Sequence, residues 1–84
     1  MTATYETTDL YLACALKTAL RLPFPDIHPN DRFSTFRFQV NPVEAQRVAG
    51  QFYNSMLPLD AREFSTTLRD LKALLLQKRG AKPR

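Results

Sequence analysis

Apolar and polar positions along the chain fall into four patterned stretches. The sharpest runs from Leu59 to Gly80. Phe64, Leu68, Leu71 and Leu75 follow one another at spacings of four, three and four, one apolar stripe on a 3.6-residue helix. Asp60 stands at the N-cap, Glu63 three residues on completes a capping box, and Leu59 and Phe64 occupy the positions of a hydrophobic staple. Lys78, Arg79 and Gly80 supply a cationic last turn and a terminating glycine.

A second helical pattern runs from about Thr8 to Arg21, opened by Thr7, Thr8 and Asp9 and closed by Pro23. Leu12, Leu16 and Leu20 share a face with Ala13 and Ala19. Tyr11 and Cys14 lie off that stripe, so more than half of the circumference is apolar. Such a helix is either wrapped on several sides or partly turned to another chain.

A third helix begins at Asn41, with Pro42 at the first helical position and Glu44 placed to close a capping box. Its stripe is Ala45, Val48, Ala49, Phe52 and Met56, and Gly50 offers room for a close neighbour. Between the first two helices, Phe33 to Val40 alternates: Ser34, Phe36, Phe38 and Val40 on one side, Phe33, Thr35, Arg37 and Gln39 on the other. That period of two predicts a half-buried strand. Asp26 to His28 predicts a short partner strand before the turn cluster Pro29, Asn30 and Asp31. A two-stranded hairpin is marginal alone, so Phe36, Phe38 and Val40 should lie on helices. The expected fold is α+β, in the order helix, β-hairpin, helix, helix, around a single small core, with residues 5–80 forming one compact domain and 81–84 a basic tail.

Composition narrows the chemistry. The chain has 84 residues, 44% of them apolar, enough for a small core and unlike a disordered chain. Cys14 is the only cysteine, which excludes an internal disulfide and points to a reducing, cytoplasmic location. The start lacks the pattern of a secretory signal, and the apolar run from Leu10 ends at Lys17, too short for a membrane span. Net charge is +4, distributed as −2 up to Asp31, +2 from Arg32 to Leu59 and +4 from Asp60 onward.

No constellation names a reaction. Gly50 and Gly80 are the only glycines, so there is no phosphate-binding loop. Asp26, His28 and Asp31 have metal-ligating chemistry, but polar residues around a proline turn are ordinary. Cys14 lacks a base and reads better as a small buried hydrophobe than as a nucleophile. The expectation is a non-enzyme with no cofactor, no metal and no small-molecule substrate.

The chain also carries Thr7-Thr8-Asp9-Leu10-Tyr11-Leu12-Ala13, a Phe-rich strand, and Phe64-x-x-x-Leu68-Arg69-x-Leu71-Lys72. In these it resembles, over roughly residues 5 to 77, a catalogued family of unknown function made up of short proteins from bacteria and their phages or mobile elements. The resemblance implies a cytoplasmic or phage-derived setting and transfers no activity.

Two binding expectations remain. Arg69, Lys72, Lys78, Arg79, Lys82 and Arg84 would let the last helix and tail follow a DNA or RNA backbone, helped by Phe33 and Arg37 on the outer strand face. A solvated helix end, with cations near its terminal carbonyls, explains the same residues without a partner. Alternatively the protein is an adaptor or self-associating module, docking on a larger complex or a second copy through Tyr5, Tyr11 and Cys14 beside the apolar first helix.

Overall fold

A computed structural model describes residues 3–29 and 33–78 of the chain. The elements in order are β1 (Thr4–Thr7), α1 (Leu10–Leu20), β2 (Asp26–Pro29), β3 (Ser34–Gln39), α2 (Pro42–Tyr53) and α3 (Ala61–Lys78). The α+β class is as expected, but the hairpin of β2 and β3 has gained a third strand. The sheet order is β1-β3-β2, antiparallel throughout.

That extra strand corrects the expected element order. β1 is only four residues long, with Tyr5 its sole apolar side chain. Its stability comes from pairing, with Tyr5 opposite Phe38 and Thr7 opposite Phe36. Flanked on both edges, β3 becomes the central strand. Ser34, Phe36 and Phe38 point inward and are buried, whereas Arg37 and Gln39 point outward and are exposed. On the other edge Ile27 pairs with Phe36, and Pro29, which has no N–H to give a ladder, closes β2 at the rim. Asn30 and Asp31 of the expected turn lie outside the described residues.

α1 is the centre of the molecule. Asp9 caps it, one carboxylate oxygen accepting from the N–H groups of Tyr11 at 2.9 Å and Leu12 at 3.2 Å. Arg21 ends it in the left-handed region (φ 53°), where the Leu22 N–H donates to the Lys17 carbonyl at 3.1 Å. Five consecutive residues, Leu12 to Leu16, are buried, because α3 and α2 both pack on this helix and the sheet lies against the same core. The broad apolar circumference therefore serves internal wrapping.

α2 starts as the sequence indicates: Asn41 accepts from the Val43 N–H at 2.8 Å and Pro42 opens the helix. Glu44 does not complete a capping box in this structure; its carboxylate accepts from Arg47 at 2.9 Å. The helix stops at Tyr53, where the breaking segment Asn54 to Pro58 begins, so Met56, the last residue of the stripe, falls beyond it. Ser55 adopts φ 58°, and the Met56 N–H reaches back to the Gln51 carbonyl at 2.8 Å, with the Ser55 N–H on Phe52 at 3.1 Å. This Schellman closure leaves Met56 beyond the helix and 71% exposed, outside the core where the stripe had placed it. Gly50 is likewise exposed, and a Cβ added there would have no neighbour within 4 Å. It is not a close-packing site. Gly50→Ala is accordingly expected to raise stability by about 0.5–1 kcal/mol, read as a higher urea midpoint.

In α3 Asp60 caps as expected, accepting from the Glu63 N–H at 2.9 Å. Leu71 is fully buried; Phe64, Leu68 and Leu75 are partly buried against the core. Thr67 and Leu74 widen the stripe. Thr67 is tolerated there because its hydroxyl meets that of Thr18 at 3.5 Å. Residues 79–84, and with them the expected terminal glycine and basic tail, lie outside the described residues. Among the described residues no helix is long and apolar enough to cross a membrane.

Candidate nucleic-acid interface

The helices cover one face of the sheet, and the other carries the polar side chains of alternating positions. Across its three strands Glu6, Arg37 and Asp26 stand in one row. The Arg37 Nε donates to Glu6 at 2.7 Å. A cation paired with a neighbouring carboxylate offers a phosphate a weaker positive field. Phe33 is 51% exposed beside this face, and Arg37 is paired there with Glu6 while still about half exposed.

The protein-docking residues are also rearranged. Cys14 is fully buried and offers no surface to a partner; burial pushes its thiol up to about 11. Tyr5 lies half-buried on the inner face of β1, its hydroxyl donating to Gln46 at 3.4 Å. It helps hold α2 to the sheet. Tyr11 alone of the three is exposed.

Close by, Tyr53 donates its hydroxyl to the second carboxylate oxygen of Asp9 at 2.7 Å. Bonding to that carboxylate raises the phenol to about 12. Both Cys14 and Tyr53 thus favour their neutral forms in the folded chain. Their contributions are intact below about pH 9 and pH 10, the ordinary values. Each is lost as pH rises through the raised value, so stability should fall over an alkaline limb between about pH 9 and 12. Unfolding followed from pH 8 to 12 checks this, with a flat profile as the contrary result.

The ion pairs among the described residues are Arg37 with Glu6, Arg47 with Glu44 at 2.9 Å, and a loose contact of Arg69 with Asp70 at 3.8 Å. Lys17, Arg21, Arg62, Lys72 and Lys78 have no carboxylate within ion-pair distance among those residues. Among the described residues the unpaired cations therefore belong to α1 with its C-cap and to α3, the two most closely packed helices. They do not form one line. Arg69 and Lys72 are neighbours around α3, but Arg69 and Lys78, nine positions apart, point about 180° from one another. A single backbone track along Arg69, Lys72 and Lys78 is not what the helix presents. Arg79, Lys82 and Arg84 lie outside the described residues.

A different grouping emerges at the other end of α3. The C-terminal end of α1 and the first turns of α3 border a broad cleft of ≈ 820 Å³, with Lys17, Arg21 and Arg62 on its walls beside Asp60 and Glu63. The sequence pattern does not reveal this cluster. Lys17 and Arg21, four apart on α1, signal a cationic helix end, but only tertiary packing brings Arg62 to them. Comparison with family models, curated proteins and solved structures found no match for the chain.

Proposed function

We propose that the protein is a non-catalytic accessory component that associates with nucleic acid, or with a nucleoprotein complex, through the cations of α1 and α3 and the basic residues that follow. One observation carries this reading. Among the described residues Arg37 of the sheet and Arg47 of α2 are paired with carboxylates of their own chain, whereas the cations of α1 and α3, apart from the loose contact of Arg69 with Asp70, have no carboxylate within ion-pair distance. Phosphate diesters supply such anions at regular spacing. A bacterial or phage-derived, cytoplasmic setting belongs to the same proposal, resting on the likeness of the Thr7–Ala13 run.

The test is retention of the full chain on a polyanion column and its salt dependence. Replacing Lys72, Lys78, Arg79, Lys82 and Arg84 by Gln should weaken retention on any sequence and flatten the dependence of log affinity on log salt by about 0.7–0.9 for each phosphate no longer neutralised. Equal retention at low salt after Lys17, Arg21 and Arg62 are replaced as well would overturn the reading.

Self-association is the second reading, favoured by the exposure of Tyr11 and Tyr53 around Asp9. The buried stripe of α1 plays no part in it. Sedimentation across a hundredfold range of concentration decides it: a constant monomer mass removes this reading.

A further inference from the structure

The cleft and its surroundings combine two features. The first is electrostatic. Arg21 and Arg62 rise from different helices, have no carboxylate partner among the described residues, and face the same ≈ 820 Å³ space. Two carboxylates share the lining with these cations and Lys17: Asp60, which accepts from the Glu63 N–H at the helix cap, and Glu63, so the three cations leave the cleft a net charge of +1. The Thr66 hydroxyl adds a neutral donor on the α3 wall.

The second feature is aromatic. Phe24, in the segment after α1, is 45% exposed, and the Lys17 ammonium sits over its ring at 4.4 Å from the centroid. Lys17 thus belongs both to the cleft and to the ring. Leu22 lines the cleft and also a smaller recess of ≈ 160 Å³ that Phe24 borders. A cationic channel beside an accessible ring is how proteins hold unpaired strands: the charges follow the backbone and the ring stacks on a base. A duplex keeps its bases stacked inside and has no use for the ring.

From this juxtaposition we infer that the cleft seats a backbone phosphate of single-stranded nucleic acid, held by Lys17, Arg21 and Arg62, and that Phe24 stacks on an adjoining base. The inference rests on the nucleic-acid reading above and specifies its strand form and its site.

The experiment is fluorescence anisotropy of the full chain at low salt with labelled twelve-residue oligothymidylate, oligouridylate and a twelve-base-pair duplex. Single strands should bind more tightly than the duplex at equal nucleotide concentration. Arg21→Gln with Arg62→Gln should weaken single-strand binding about tenfold or more and reduce the salt slope by about 0.7, the one single-strand phosphate that the cleft seats. Phe24→Ala should weaken it at least about fivefold while leaving the salt slope in place. All variants are checked for native circular dichroism and an unchanged urea midpoint. Undiminished binding by the Arg21/Arg62 variant, with loss in a variant neutralised at Lys78, Arg79, Lys82 and Arg84, overturns the cleft while the nucleic-acid reading stands. Preference for the duplex, or a Phe24→Ala protein that binds single strands normally, overturns the single-strand assignment. Failure of the unaltered protein to bind any of the three overturns both readings together.

Discussion

Leu71→Ala is expected to cost about 3–5 kcal/mol and to unfold most of the protein under mild denaturant. The side chain is fully buried in the middle of α3, inside the cluster that joins α1, the sheet and α2. Truncation removes its transfer free energy and leaves a cavity that helices pinned on several sides cannot collapse into. A domain of 84 residues has total stability on the order of 4–13 kcal/mol, so the loss is a large share of it. Phe64→Ala should cost less, because Phe64 is only partly buried. Leu76→Ala, on the outer side of the same helix and exposed, should cost about 0.5 kcal/mol at most. Urea midpoints of the three variants check the ranking, and an unchanged midpoint for Leu71→Ala would show that the core lies elsewhere.

Asp9→Ala is expected to cost about 2 kcal/mol, more than an ordinary cap. Its carboxylate satisfies two free N–H groups at the start of α1 and also receives the Tyr53 hydroxyl from the end of α2. The cap contributes about 1 kcal/mol, up to 2 in strong cases. The phenol adds less than a buried bond would, since Tyr53 is 60% exposed and water competes for it. A double-mutant cycle with Tyr53→Phe should return a coupling of about 0.5–1 kcal/mol. In Asp9→Asn the Tyr53 phenol should titrate below its present value of about 12, because the anion that opposes phenolate formation is gone. Additive losses in the cycle, with an unmoved phenol, would mean that Asp9 acts on α1 alone.

The helices are readable because their information is local: Asp9, Asn41 and Asp60 announce the starts, and the stripes need only neighbours three or four apart. Termination is less so. Ser55 and Arg21 close their helices in a left-handed conformation that sequence rules assign to glycine, and Met56 continues the stripe of a helix that has already ended. β1 is invisible for a different reason. Four residues with one apolar side chain carry no period, and their order comes from Phe36 and Phe38 across the ladder.

One omission leads to another. Without β1, Glu6 has no place in the fold, so Arg37 looks free when it is held at 2.7 Å. Cys14 and Tyr5 likewise resemble a docking surface because the helices that cover them lie far along the chain. The cleft is hidden by the same distance in sequence, as Arg62 meets Lys17 and Arg21 only once α3 packs on α1.

The most direct measurement is a titration of ¹⁵N-labelled protein with twelve-residue oligothymidylate at low salt, followed by amide chemical shifts. Perturbations should gather on Lys17 to Phe24 and along α3, fade as salt is raised, and spare Glu6 and the middle of α2. Shifts centred on the outer sheet face, or a spectrum unmoved by excess oligonucleotide, would contradict the assignment of the unpaired cations to a nucleic-acid partner.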